Sequence, residues 1–216
     1  MSTSITLIII MITSLVSLLG FYGSTLREQL IFKPIQVEKN GQWYRFITSG
    51  LLHADWNHLL FNMFSLFLFG DLVEKQFNSS HFFSAQGGVY YSLLYGLALP
   101  IALLPTFISQ RKNNRYASLG ASGAVSAVVF AAILLDPTIK IGLFLIPPII
   151  PGFVFGPLYL LLSARLGIKG RDNINHSAHI TGALFGVIFT IAVTALSNCP
   201  AQPIEEFFDK VVAYLH

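Results

Sequence analysis

The chain has 216 residues, of which 54% are hydrophobic and only 11% charged. That composition lies far from soluble averages and belongs in a bilayer. The net charge of +3 is the balance of 13 basic and 10 acidic residues, and the basic ones are scattered through the connections without a stripe or arm, which argues against nucleic acid as a partner. The one cysteine, Cys199, excludes an intrachain disulfide, and no Cys or His spacing resembles a zinc site.

Six apolar segments follow in chain order, and none alternates as a barrel strand would. The first, Ile5 to about Tyr22, carries no charge and is long enough to span. "MSTS" before it and "GFYGSTLREQ" after it lack the basic region and small-residue cleavage site of a signal peptide, so it reads as a retained helix. The second runs from Asn57 to Val73 and holds His58 and Asn62, four apart and therefore on one helical face. Both are costly in lipid and must face the interior with a partner, or present donors to developing negative charge. The third is Ser84 to Pro105. The fourth, Gly120 to Leu135, opens "GASGAVSA" and offers about 16 residues, or about 24 Å, against a hydrocarbon core of roughly 30 Å. Such a helix can begin below the membrane surface with Ser122 in its first turn, where backbone N–H groups lack intrahelical partners and the helix dipole favours an oxyanion. The fifth, Ile139 to Leu162, carries Pro147, Pro148, Pro151 and Pro157, which predict kinks or breaks. The sixth is Ser177 to Ser197. A tail from Ile204 to Leu215 sets Ile204, Phe207, Phe208, Val211 and Leu215 against Glu205, Glu206, Asp209 and Lys210, the pattern of a packing or anchoring interfacial helix.

A lone membrane serine ordinarily bonds its own helix or a neighbour. Here Gly123, Ala127 and Ala131 repeat every four residues, as do Ala178, Gly182 and Gly186 in the sixth segment. Two small stripes let two backbones approach closely, and each has a polar residue one position away, Ser122 on one and His179 on the other. An imidazole within reach of a hydroxyl is what an activated serine nucleophile requires.

Together these residues resemble the rhomboid family of intramembrane serine proteases over about Trp43 to Gly186. "WYRFITSGLLHADWNHLLFNM" resembles its first-loop Trp/Arg region and H-x-x-x-N helix, "GASG" its G-x-S-G motif, and "AHITGALFG" its A-H-x-x-G-x-x-x-G segment. The resemblance implies an all-α, six-transmembrane-helix bundle over residues 1–197 with a short fourth helix, followed by a tail, 198–216. It implies Ser122 as nucleophile, His179 as base, and His58, Asn62 and the Ser122 backbone N–H as oxyanion hole, with no metal or cofactor. The implied partners are transmembrane protein substrates and the bilayer, in a bacterial cytoplasmic membrane, with the fifth helix at a lateral gate. The sixth segment has no Asp or Glu, in keeping with a Ser-His dyad, although Asp172 in the preceding loop is open as an orienter of His179.

Two departures stand out. Members of the family often carry Tyr four residues after the nucleophile, against which the imidazole rests, and this chain has Ser126 there. Many also have Trp directly before Arg in the first loop, whereas this chain reads Trp43-Tyr44-Arg45. Orientation is drawn two ways: ten of the 13 Lys and Arg residues fall in the odd-numbered connections, which by charge bias face the cytoplasm, while the resemblance implies an outward-opening site. Among other functions, a soluble hydrolase elbow fails because Gly123 follows Ser122 directly, and a zinc protease fails for want of H-E-x-x-H. An aspartyl intramembrane protease fails because Asp71 and Asp136 fall at segment ends. A six-helix transporter should show repeated halves or paired ionisable groups, and a non-catalytic rhomboid-like binder should lack Ser122 or His179.

Overall fold

The computed structural model describes residues 4–142, 148–169 and 174–216. It is an all-α membrane bundle in which three helices among the described residues, Ile5–Tyr22, Ser84–Gln110 and His176–Leu196, are long and apolar enough to cross a bilayer. Helix α1 (Ile5–Tyr22) leads into a first connection built from three short helices, α2 (Ser24–Leu30), α3 (Pro34–Asn40) and α4 (Arg45–Thr48). Helices α5 (Trp56–Ser65) and α6 (Asp71–Phe77) are joined through a π-helical turn at Leu66–Gly70. Then come α7 (Gly87–Gln110), α8 (Ser122–Leu135), α9 (Gly152–Lys169), α10 (His176–Leu196) and α11 (Pro203–Leu215).

At 14 residues α8 is about 21 Å long, shorter than the hydrocarbon core. All of it except Ser122 and Val129 is buried, because α10, α7, α6 and α11 surround it. The α8–α10 seam depends on two glycines. A β-carbon at Gly182 would lie 2.0 Å from the Gly123 carbonyl oxygen, and one at Gly186 would lie 2.0 Å from that of Ala127. No side chain fits there, so the backbones themselves make the contact.

The fifth apolar segment is not helical from its start. Residues Lys140–Ile141 (β1) pair antiparallel with Ile150–Pro151 (β2), and the helix begins only at Gly152. Pro151 cannot donate a backbone hydrogen bond and favours extended backbone at Ile150 before it, so α9 is preceded by this strand pair and not by further helix at Ile150. Pro147 lies outside the described residues, and Pro157 sits inside α9.

The tail helix α11 lies against the end of α8 remote from Ser122. Lys210 Nζ donates to the Leu135 carbonyl at 2.6 Å, the His81 ring Nε2 and Glu206 Oε1 stand 2.6 Å apart, and Lys140 reaches the Tyr214 hydroxyl. Of the apolar residues expected on one side, Phe207 packs on the core while Ile204, Phe208 and Leu215 remain exposed. The helix thus has a docked sector and a separate outward apolar sector.

Candidate active site

The small stripes of α8 and α10 determine where two polar side chains meet. With Gly182 seated on Gly123, His179 Nε2 stands 2.7 Å from Ser122 Oγ, 57 positions apart in sequence. Ser122 is the first residue of α8, so its own N–H has no intrahelical acceptor. His179 lies in the first turn of α10, where the Asn175 side chain caps the helix by accepting from Ala178 N at 3.2 Å. Asp172 lies outside the described residues.

The segment that delivers Ser122 is held by the first connection. Phe32 and Ser118 exchange two backbone hydrogen bonds, each 3.0 Å, and Gly120 N donates to the Ser49 carbonyl at 3.0 Å. Gly120 adopts φ +125°, and a β-carbon there would meet His58 Cε1 at 2.7 Å and Nε2 at 2.9 Å. Only glycine satisfies both the backbone and the imidazole at that point. His58 therefore lies against the loop two residues before Ser122. The Ala54 N–H points to its Nδ1 at 3.4 Å, leaving Nε2 as the donor nitrogen toward the site. Asn62 is buried one turn along, and its amide donates to the His58 carbonyl at 2.8 Å, which engages one of its two N–H groups within the helix.

Behind His58 lies His53, which the sequence reading did not single out. It is buried at 2% exposure, its Nδ1 is 2.9 Å from Ser17 Oγ of α1, and its ring meets the His58 ring edge-on at 4.8 Å. Burial, reinforced by the neighbouring His58, pushes the His53 imidazole down to about 3, so it is a neutral spacer. A histidine five residues before another, in a loop, carries no periodic signal that would have marked it.

The departure in the first loop has a structural outcome. Arg45 is buried and donates to the carbonyls of Glu28 at 3.0 Å and Ile31 at 2.6 Å and to Gln42 Oε1 at 2.6 Å. Trp43 stacks on Phe46 at 5.9 Å, and both approach Phe107 of α7. The arginine secures the connection from within and the tryptophan clasps it to α7.

Beside Ser122 is a cavity of about 20 Å³ lined by Ser49, Gly120, Ser122 and Asn175 among others, enough for about one water. Asn175 also borders a larger cleft of about 700 Å³ between α7, α9 and the start of α10, which Thr106, Ser163 and His176 line. Chemically, the arrangement sets a hydroxyl at a helix N-terminus, an imidazole positioned to take its proton, a second imidazole beside it, and room for water.

Comparison with known proteins agrees with this architecture. The family model described as the Rhomboid domain matches residues 40–196. The chain is 31% identical over 180 residues to Rhomboid-like protein 11, chloroplastic, of Arabidopsis thaliana, covering 78% of this chain and 58% of that one. It is 30% identical over 153 residues to the Putative rhomboid protease YdcA of Bacillus subtilis, covering 70% and 67%, and 28% identical over 165 residues to the Rhomboid protease GlpG of Haemophilus influenzae, covering 74% of each. It spans about half the length of the two Arabidopsis relatives, 58% and 46%. With the Rhomboid domain covering the helices that carry His58, Ser122 and His179, the chain belongs to the rhomboid family of integral membrane proteins.

Proposed function

We propose that the chain is an intramembrane serine endopeptidase that hydrolyses peptide bonds in or near transmembrane segments of membrane proteins. The observation that carries this reading is the 2.7 Å approach of His179 Nε2 to Ser122 Oγ at the head of a short buried helix. His179 accepts the hydroxyl proton as Ser122 Oγ bonds to the scissile carbonyl carbon. The carbonyl oxygen becomes an oxyanion that takes hydrogen bonds from the Ser122 N–H, the His58 Nε2–H and an N–H of the Asn62 amide. His179 then returns the proton to the leaving amine, and the acyl-enzyme is hydrolysed by a water that His179 deprotonates in turn. Supporting the reading are rhomboid proteases among the relatives and a water-sized cavity beside Ser122.

On this reading residues 1–197 form a six-span membrane domain and 198–216 a tail that docks beneath it. Substrates are proteins with a transmembrane helix, and they enter at α9. The proposed location is a bacterial cytoplasmic membrane with the site facing outward. Relatives from plant chloroplasts and mitochondria make an organellar membrane the comparison to test.

A serine-directed fluorophosphonate followed by peptide mapping tests the assignment. Ser122 should be labelled in the wild-type protein, and labelling and cleavage of a transmembrane test substrate should both vanish in Ser122→Ala and His179→Ala that remain folded in detergent. His176→Ala should retain most activity. Asn62→Ala should lower turnover by about 10²- to 10³-fold with little change in substrate binding. Full cleavage without Ser122 would end the proposal.

A further inference from the structure

Where relatives often place a tyrosine, four residues after Ser122, this chain has the small side chain of Ser126, buried at 6% exposure. The space is taken by a residue from another helix. Tyr159 of α9 lays its ring nearly parallel to His179, with centroids 6.3 Å apart and 24° between planes, within the range of an offset stack. Its hydroxyl meets Ser126 Oγ at 3.0 Å. The ring is held from its other sides by Phe155 and Phe130, each with its centroid 5.7 Å away. A phenol fixed by one hydroxyl and two rings presents one defined face to the imidazole.

We propose that Tyr159 is the positioning residue for His179, and that Ser126 seats it there. The proposal rests on the reading of Ser122 and His179 as the reacting pair. His179 Nε2 must point along the Ser122 Oγ–H direction, and a ring free to rotate about its side-chain torsions spends less time there. The stack on Tyr159 limits that rotation from one face. Because the platform stands on α9 and the nucleophile on α8, support for the base travels with α9. A displacement of α9 breaks the stack and the Ser126 hydrogen bond together while leaving Ser122 in place. The tyrosine and the serine then form one unit spread over two helices, in place of a single tyrosine on the nucleophile's own helix.

Steady-state cleavage of a transmembrane test substrate in detergent, with unfolding midpoints measured on the same samples, tests this. Tyr159→Ala should lower kcat by roughly 2- to 12-fold with KM unchanged, the range an aromatic pair supplies. Tyr159→Phe, which keeps the face and loses the hydroxyl, should recover most of that loss. The double variant Ser126→Tyr with Tyr159→Ala should do better than Tyr159→Ala alone, because it restores a ring from α8. Should Tyr159→Ala fail to fold, Tyr159→Leu keeps the bulk without an aromatic face and carries the same expectation. The proposal is overturned if Phe is no better than Ala or Leu, if only the unfolding midpoint moves, or if KM rises at constant kcat, which would make Tyr159 a substrate contact. Absence of Ser122 labelling in the wild-type protein would instead overturn the protease reading itself, so the two failures are distinguishable.

Discussion

Where α8 meets α10 the buried groups are small and mostly apolar, Gly123, Ala127 and Ala131 on one side and Ala178, Gly182 and Gly186 on the other. Helix α1 is built the other way round. It buries Thr6, Thr13, Ser17 and Gly20 and turns Met11, Leu15 and Leu19 outward, each more than half exposed in the isolated protein. Its seam is held by polar contacts: the Glu74 carboxylate accepts from Ser4 Oγ at 2.9 Å, Ile5 N at 2.7 Å and Thr6 N at 3.0 Å. Thr6 Oγ1 donates to the Tyr91 hydroxyl at 2.8 Å, and Ser17 Oγ to the Leu51 carbonyl at 2.7 Å. Lipid tails are as apolar as leucine, so exclusion from water cannot drive two membrane helices together. What remains is close backbone contact or hydrogen bonding. The seam beneath the candidate active site uses the first, which holds positions rigidly. The peripheral seam uses the second, a set of discrete bonds that can be lost one at a time.

The largest expected effect breaks the rigid seam. Gly182→Ala puts a β-carbon 2.0 Å from a backbone oxygen that cannot swing aside, and should cost about 3 kcal/mol in detergent unfolding together with loss of Ser122 labelling. Gly96→Ala on α7 is the control, since a β-carbon there meets nothing within 4 Å, and it should be neutral or slightly stabilising. Equal tolerance at both glycines would show that α8 and α10 are not in backbone contact.

Next in size is Glu74, just past the end of the second apolar segment. Glu74→Gln keeps the shape but removes the charge that caps α1, and should cost about 2 kcal/mol with labelling of the folded fraction retained. Loss of labelling in proportion to loss of α1 docking would instead join the two seams into one unit. The same group predicts a pH dependence. Burial alone would raise the Glu74 pKa, but the hydrogen bonds from Thr6, Ile5 and Ser4 outweigh it and hold the carboxyl below its ordinary 4.5. A group with a depressed folded value adds stability that is full above its unfolded pKa and is lost as pH falls through the folded one. Unfolding midpoints of the wild-type protein should therefore drop on acidification below about 4.5, and Glu74→Gln should flatten that part of the profile. Parallel profiles for the two proteins would assign the acid sensitivity elsewhere.

The smallest effect tests the ladder one bond at a time. Thr6→Val is nearly isosteric, removes only the Thr6–Tyr91 hydrogen bond, and should cost about 0.6 kcal/mol, the average for such bonds between membrane helices. A cost several times larger would mean that the bonds along α1 act cooperatively.

Much of this was legible in the residues, for a physical reason. A bilayer demands long uncharged segments and punishes polar residues within them, so Ser122, His58, Asn62 and His179 stand out against their surroundings. The four-residue repeat of small residues likewise encodes a close helix pair, because only small side chains admit it. The structure places α8 and α10 in that relation and Ser122 and His179 at one end of it.

Other features depended on the chain being folded. An apolar run rich in proline predicts kinks or breaks but not where along the run the helix begins. The pairing of Lys140–Ile141 with Ile150–Pro151 fixed where α9 starts, at Gly152. The Asn62 amide bonds to the His58 carbonyl, a choice among equivalent donors and acceptors that spacing does not rank. Above all, Ser126 read as a missing support for the imidazole. The ring that faces His179 instead comes from position 159, which no motif ties to 126 or 179 and which arrives there because α9 packs across α8 and α10. A sequence can show that a side chain is too small to fill a space. Which residue fills it is decided by helix packing, since neighbours across a helix interface are set by three-dimensional geometry and carry no fixed distance along the chain.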